Sequence, residues 1–184
     1  KCGVKDEEVD KVVRRGLAFM RWYADKGSIP YGDHDPWMNH HDGNGKNSQA
    51  AVLFDIAGDG EAAEYFSRMS LASYHEREVG HTGHFLGNIW GALGAARGGE
   101  EAAQFYTKKV RWYFELERRH DNSYVYQYQL ANYDHRKYGR WSAAGPRLLM
   151  YCLPRKKLYI TGRGGSSFSP FTTRDIDSAA FAAE

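Results

Sequence analysis

The sequence has little cysteine, no long apolar run and no Lys/Arg run long enough to form a basic stripe. Its two cysteines, Cys2 and Cys152, form no CxxC motif and are equally compatible with one disulfide bond or two free thiols. No apolar run approaches the roughly 20 residues that span a bilayer, so we expect no membrane insertion. A net charge of +2 without a Lys/Arg stripe argues against nucleic acid as a partner.

Composition instead predicts one folded domain over residues 1–184. The chain is 42% hydrophobic and 26% charged, which suffices for a single core. Aromatic residues make up 15% of the chain, including 13 tyrosines. Many of them fall in or beside the predicted loops rather than on helical faces, which favours a surface that stacks on ring-shaped ligands.

Apolar residues recur at helical spacing through most of the chain. Residues 6–26 predict an amphipathic helix with one buried stripe, which has the acidic residues 6–8 at its N-terminal end and stops at Gly27. The stripe consists of Val9, Val12, Val13, Leu17, Met20 and Tyr23.

Amphipathic and uniformly apolar helices then alternate. Residues 61–77 and 100–119 predict further amphipathic helices, whereas 48–57, 85–96 and 141–153 predict buried helices rich in small and apolar residues. A repeat of roughly 45 to 50 residues with this alternation is typical of stacked helical hairpins. We therefore predict an all-α fold of repeated helical hairpins that form part of an α/α toroid.

The C-terminal part breaks the alternation. Residues 155–163 predict a short β segment, and 164–170 predict a loop. A last helix is expected from Thr173, with Thr172 or Thr173 as its N-cap, and it reaches the end of the chain without a C-cap. We expect a partial chain that packs against the remaining part of the toroid or another chain.

Three loops, over residues 31–47, 80–84 and 121–140, are dense in ligand, acid/base and stacking side chains. Each connects an amphipathic helix to an apolar one, and in a stack of hairpins such loops lie on the same rim. Residues distant in sequence are therefore expected to converge on one site.

Four segments carry a resemblance to a known family, namely residues 27–34, 44–55, 78–85 and 153–163. They resemble an uncharacterised bacterial family of large exported proteins with an α/α-toroid region. The resemblance implies a toroid fold and an exported location. It implies no particular activity, so the function must be argued from the residues.

The residue types on the predicted rim suit carbohydrate binding and elimination from a uronic-acid polysaccharide. Elimination needs a base at C5, an acid at the leaving oxygen and a group that neutralises the carboxylate. The candidates for acid and base are His81, His84, Tyr31, Tyr124 and Tyr126. The candidates for substrate binding are Asp33, His34, Trp37, Asn39, His40, His41, Asn47, Arg140 and Trp141.

Other interpretations remain open. Glycoside hydrolysis would need two opposed carboxylates, drawn from Asp33, Asp35, Asp42 and Asp121. The histidines with an aspartate would suit a divalent metal, but the HxxH spacing of His81 and His84 lacks the features of a known metal motif, so a metal is not favoured and no cofactor is assigned. The same residues also suit a non-enzymatic binding or scaffolding domain, with the histidines capping helices and the aspartates forming turns.

Overall fold

The chain folds into α-helices joined by turns and loops. A computed structural model describes residues 3–30, 35, 43–76, 83–124, 144–155, 162 and 164–181. Within these residues the fold is all-α, which confirms the predicted class, and no β-strand occurs among them. The described α-helices are α1 (Glu7–Arg21), α2 (Gly43–Ala57), α3 (Gly60–Ala72), α4 (Gly83–Ala95), α5 (Glu100–Leu116), α6 (Ala144–Cys152) and α7 (Thr173–Phe181). Short 3₁₀ turns cover Tyr74–Glu76, Ala96–Gly98 and Leu153–Arg155.

Side-chain caps fix the starts of three helices. Asp6 accepts a hydrogen bond from the Val9 N–H at 3.0 Å and begins α1. Asp59 caps α3 in the same way. At α7 the Thr172 N–H donates to Asp175 while the Asp175 N–H donates to the Thr172 hydroxyl, a reciprocal capping box. Of the two predicted caps, Thr172 is therefore the one that acts.

Helices α2 and α3 form an antiparallel hairpin around a turn at Gly58. Gly58 has a φ of +87°, a conformation that favours glycine. The rings of Phe54 and Phe66 stack with centroids 5.7 Å apart, and further along the pair the Ser48 hydroxyl donates to the Ser70 hydroxyl at 3.0 Å. Helix α2 is buried over much of its length, as the sequence predicted.

Helix α4 packs so closely on this hairpin that only glycine fits at the crossing. A Cβ built on Gly94 would lie 2.5 Å from the Ser48 Cα and 2.6 Å from the Ser70 Oγ. The Ser67 hydroxyl donates to the Gly94 carbonyl at 2.9 Å. Small residues and hydroxyl pairs thus join α2, α3 and α4 at near-backbone contact.

The last described segment, residues 164–181, is called here the strap because it lies across several helices. The Ser167 N–H donates to the buried carboxylate of Asp55 at 2.7 Å, and Arg97 pairs with the same carboxylate at 3.2 Å. The Phe171 N–H donates to the Gly98 carbonyl at 2.8 Å, and the Phe171 ring is buried in the core. The strap therefore joins α2 to the turn between α4 and α5.

The buried apolar side chains form two clusters. One lies mainly between α2, α3 and the turn that follows α1, with Tyr23, Phe54 and Phe66 among its members. The other lies between α4, α5, α6 and the strap, with Tyr106 and Phe114 among its members. Phe168 of the strap packs against both clusters, so the strap contributes to the whole core.

The predicted buried stripe of the first helix is wrong for Val9, Val12 and Val13, whereas its last member, Tyr23, is buried in the turn after the helix. Helix α1 ends at Arg21, and none of its residues is buried against the described part of the chain. Only its last turns contact the core, where Leu17 and Met20 are half-buried. Val9 and Val12 are 49% and 66% exposed because this end of the helix extends beyond the neighbouring elements.

Two other sequence predictions need revision. Helix α2 begins at Gly43 rather than at residue 48, so the first loop is shorter than predicted. The predicted β segment at 155–163 begins in a 3₁₀ turn, Leu153–Arg155, and most of the remainder lies outside the described residues.

Two further sequence predictions concern membrane insertion and a disulfide bond. In the described part of the chain, no helix has the length and hydropathy needed to cross a bilayer. Cys152 is exposed and forms no disulfide within the described residues, and Cys2 lies outside them, so the two thiol alternatives stay predictions.

Candidate functional site at the loop-bearing helix ends

The first predicted rim loop is closed at its base by Asn47. Its side-chain oxygen accepts from the Ile29 N–H at 3.2 Å, and its amide nitrogen donates to the Ser28 hydroxyl at 3.2 Å. Asn47 is fully buried in α2. A single side chain thus joins the residues that precede the loop to the helix that follows it. Asn47 was a predicted substrate-binding residue of the loop, and the structure instead places it inside the protein.

A buried polar cluster connects the ends that bear the second and third loops. Arg147, in the first turn of α6, donates through Nε to a Glu117 carboxylate oxygen at 2.5 Å. Its terminal nitrogen contacts the same oxygen and donates to the Asn88 Oδ1 at 2.9 Å. The guanidinium also lies 3.4 Å above the centre of the Phe114 ring. Arg147 and Glu117 are 1% and 0% exposed, so the pair is shielded from water.

This cluster lies near the starts of α4 and α6 and at the end of α5. Asn88 lies in the second turn of α4, Glu117 is the C-cap of α5, and Arg147 opens α6. The chain therefore leaves α5, and enters α4 and α6, close to one charged group. The second predicted loop runs into the first turn of α4, and the third ends shortly before α6, so their attachment points lie close together.

Next to this cluster is a tyrosine whose pKa is raised. Burial raises the pKa of Tyr151, and the neighbouring carboxylate of Glu115 raises it further. The Tyr151 hydroxyl donates to Glu115 at 3.3 Å. The half-buried Tyr124, a predicted catalytic residue, also contributes to this shift and therefore lies near the pair. A raised pKa makes the Tyr151 hydroxyl a weaker acid than an ordinary tyrosine, so the shift indicates a structural hydrogen bond to Glu115 rather than a proton donor.

The turn before Tyr124 limits the role of one aspartate. Asp121 accepts from the Ser123 N–H at 2.9 Å, and the hydrogen bonds from Ser123 hold the pKa of this carboxyl below its usual value. Arg118 and Tyr124 pair as an isolated bridge across the turn. Asp121 thus acts as a turn residue and remains ionised, which is unfavourable for a general acid of a glycosidase. Asp35 is exposed.

Of the remaining predicted catalytic and substrate-binding residues, only His84 lies in the described part of the chain. His84 lies in the first turn of α4. The remaining catalytic and substrate-binding candidates lie outside the described residues: Tyr31, Asp33, His34, Trp37, Asn39, His40, His41, His81, Tyr126, Arg140 and Trp141. Asp42, an alternative acid, also lies outside them. Among the residues that the structure does describe, no three His, Cys, Asp or Glu side chains cluster as metal ligands would.

A cavity of about 580 Å³ lies at the opposite ends of the helices. Its walls come from the start of α5, the turn after α6 and the strap, with Phe168 and Phe171 on one side and the exposed Glu100 and Gln104 on another. Arg97 borders it and is held by Asp55. No sequence pattern predicts a cavity here, because its lining comes from three separate regions of the chain.

Sequence reasoning did not select Arg147, Glu117 or Tyr151. A usable signal was present, since Arg147 and Tyr151 are four residues apart and share one face of an otherwise apolar helix. Glu117 follows an apolar pattern at the position where a helix ends, which resembles an ordinary solvated terminus. Its burial depends on a partner 30 residues away and cannot be read locally.

Comparison with known proteins gives one match. Residues 1–162 match the model of a family described as a domain of unknown function, DUF6288. No curated protein and no solved structure matches the chain. The match ends before the strap, which nevertheless contributes Phe168 and Phe171 to the packed interior.

Proposed function

We propose that this chain, which belongs to the DUF6288 family, binds an acidic polysaccharide at its loop-bearing helix ends and cleaves it by elimination. The observation that carries the proposal is the Asn88–Arg147–Glu117 cluster. It supports convergence of the second and third loops, because it joins the helix ends from which they extend.

The proposed chemistry uses residues on these loops. His81 or His84 takes the proton from C5, and a tyrosine protonates the leaving oxygen. Tyr31, Tyr124 and Tyr126 are the predicted donors. Arg140 and Asn39 neutralise the uronate carboxylate, while Trp37 and Trp141 stack on sugar rings. No metal is needed for these steps, and none is proposed.

The proposal extends to the architecture and the setting of the domain. The antiparallel packing of α2 and α3, and the entry of α4 and α6 near one cluster, support helical hairpins that form part of an α/α toroid. The remaining part of that toroid, or another chain, would complete the ring. An exported location follows from the sequence resemblance and suits a polysaccharide substrate.

A second function, non-enzymatic carbohydrate binding or scaffolding, is favoured by one observation. Asn47, Asn88 and Arg147 all direct polar groups to other parts of the protein. In this alternative, the polar residues near the loops hold the loops in place. The loops then bind a ligand through their aromatic side chains, without acid/base chemistry. The glycosidase alternative is less favoured, because Asp121 belongs to a turn.

The test is a panel of uronic-acid polymers assayed for absorbance near 235 nm, for release of reducing ends and for binding by affinity electrophoresis. We expect rising absorbance with at least one polymer, reduced about 10²- to 10⁴-fold by His81→Ala or His84→Ala. His75→Ala, which removes an exposed histidine outside the predicted set, is the matched control and should retain activity.

Other outcomes identify the alternatives. Binding without either product supports the scaffolding function, and reducing ends without absorbance support a hydrolase. If no polymer binds at all, the carbohydrate proposal is wrong. Thermal unfolding of each variant separates loss of chemistry from loss of fold, since a catalytic histidine should leave the melting temperature nearly unchanged.

A further inference from the structure

Helix α1 presents an apolar face that no described element covers. Val12 and Val13 are 66% and 53% exposed, and Phe19 is 49% exposed. A Cβ built on Gly16, in the same stripe, would have no heavy atom within 4 Å. The helix is nevertheless well formed, with a capped start and a pronounced apolar side. Such a face is typical of a helix that pairs with another helix.

The spacing of the stripe matches the seam of a two-helix pair. Val9 and Gly16 are seven residues apart, as are Val12 and Phe19, which corresponds to the a and d positions of a heptad. The glycine leaves room for a second backbone to approach. Along one edge of the seam, at g positions, lie Glu8 and Arg15, both exposed and seven residues apart.

The charges on this edge indicate the partner and its direction. When two such helices pack antiparallel, the g positions of one face the g positions of the other. Glu8 of each copy would then lie opposite Arg15 of the other, which gives two attractive pairs from one symmetric contact. A parallel pair would instead place Glu8 near an apolar Val13, so neither Glu8 nor Arg15 would gain an opposite charge from the other copy, and Glu8 would keep only its exposed contact with Lys11 of the same helix, at 3.6 Å.

We propose that α1 is the interface of an antiparallel homodimer, in which two copies of the chain pair through Val9, Val12 and Val13. The contact is isologous, so the same residues serve both copies. A seam between two single helices of this length buries less surface than the roughly 1,200–2,000 Å² of a stable interface. We therefore expect association that depends on protein concentration and exchanges rapidly.

Sedimentation equilibrium from about 5 to about 500 µM tests the proposal. Wild type should pass from monomer to dimer over this range, and Val12→Asp should remain monomeric throughout because it places a carboxylate in the seam. Leu148→Asp is the matched control, since Leu148 is 64% exposed on α6 and lies outside α1. Both positions are exposed, so neither change should lower the thermal stability of the monomer.

Charge reversal tests the antiparallel arrangement separately. Glu8→Arg alone and Arg15→Glu alone should each weaken the dimer, by about tenfold or more, because like charges then face each other. Mixing these two variants should restore association as a heterodimer, since position 8 of each copy then faces a charge of opposite sign at position 15 of the other. The variant that carries both changes should dimerise as wild type does.

Three results would overturn the proposal. The first is a wild-type chain that is monomeric at every concentration. The second is a dimer unaffected by Val12→Asp, which would place the interface elsewhere. The third is a dimer that Val12→Asp disrupts but that neither mixing nor the double variant restores, which would exclude the antiparallel pairing.

Discussion

At the scale of single residues, Arg147 and Glu117 show how a buried ion pair is tolerated in this fold. Removing two charges from water costs several kcal/mol per ion and must be offset by close contacts. Here the guanidinium forms hydrogen bonds with Glu117 and Asn88 and lies over the ring of Phe114. Three helices contribute to these contacts, so the pair stabilises one arrangement of their ends more than it stabilises any single helix.

Replacing only one of the two charged residues should therefore lower the free energy of unfolding much more than replacing both. Arg147→Met alone, or Glu117→Leu alone, leaves an uncompensated buried charge and should lower the free energy of unfolding by about 3 to 5 kcal/mol. The double variant should lose much less, because no buried charge remains. Urea denaturation of the four proteins measures the cycle. Equal losses in the single and double variants would show that packing, rather than charge, dominates.

At the scale of elements, the closest helix contact depends on a residue with no side chain. Gly94 of α4 lies against Ser48 of α2 and Ser70 of α3, at distances that exclude a methyl group. Glycine inside a helix usually costs about 1 kcal/mol relative to alanine. Here the cost is offset because the close approach of the helices allows the serine hydroxyls to form hydrogen bonds between them.

Two glycine-to-alanine changes should consequently have opposite effects. Gly94→Ala forces backbone and side chains apart and should destabilise the protein by about 1 to 3 kcal/mol. Gly16→Ala, on the open side of α1, should stabilise it by about 0.5 to 1 kcal/mol through helix propensity alone. Denaturant unfolding at low protein concentration measures both. A neutral Gly94→Ala would show that α4 can shift away from the hairpin.

At the scale of the whole molecule, the strap joins parts of the chain that are far apart in sequence. Its Ser167 is 112 residues from Asp55, and its Asp175 is 107 residues from Arg68. The Thr172 N–H and hydroxyl, followed by Arg68, lower the pKa of Asp175 to about 2. The ionised carboxylate thus caps α7 and pairs with α3 at the same time.

This lowered pKa gives the fold a defined response to acid. An unfolded aspartate titrates near pH 3.9, so the contribution of Asp175 is fully present above about pH 4. It should be lost as the pH falls through about 2. We expect Asp175→Asn to lower the melting temperature at neutral pH, with a difference from wild type that shrinks below about pH 4.

The measurement is thermal unfolding by circular dichroism between about pH 7 and about pH 2. Asp177→Asn is the matched control, since this carboxylate lies on the same helix and is exposed. A wild-type minus Asp175→Asn difference that is constant with pH would contradict the role given to the charge. A matching loss in the control would indicate a general effect of net charge.

The sequence predicted the helices well where periodicity and composition agree. The buried helices around Phe54 and Leu93 and the start of α5 follow directly from apolar patterning. The sequence predicted a later start for α2, because Gly43 and Asn47 are weak helix formers. Their helical state depends on tertiary contacts, such as the bond from Ile29 to Asn47.

The candidate site itself stays a prediction, and the structure describes mainly the helix ends that carry its loops. Loop chemistry indicated which helix ends matter, and the described ends of α4, α5 and α6 do lie close together. The residues that hold them, Arg147 and Glu117, were missed because each needs a partner remote in sequence. The apolar stripe of α1 was identified, but its exposure was not predicted, since periodicity shows that a face is apolar and not what covers it.

The closure of the first loop by Asn47 has a consequence for how the protein can diversify. Its side chain joins Ile29 to α2, so the ends of the intervening segment are held by the core whatever its sequence. For a flexible loop with fixed ends, doubling the length costs only about 0.6 kcal/mol of closure entropy. We therefore expect the helical scaffold to tolerate insertions and deletions between these anchors.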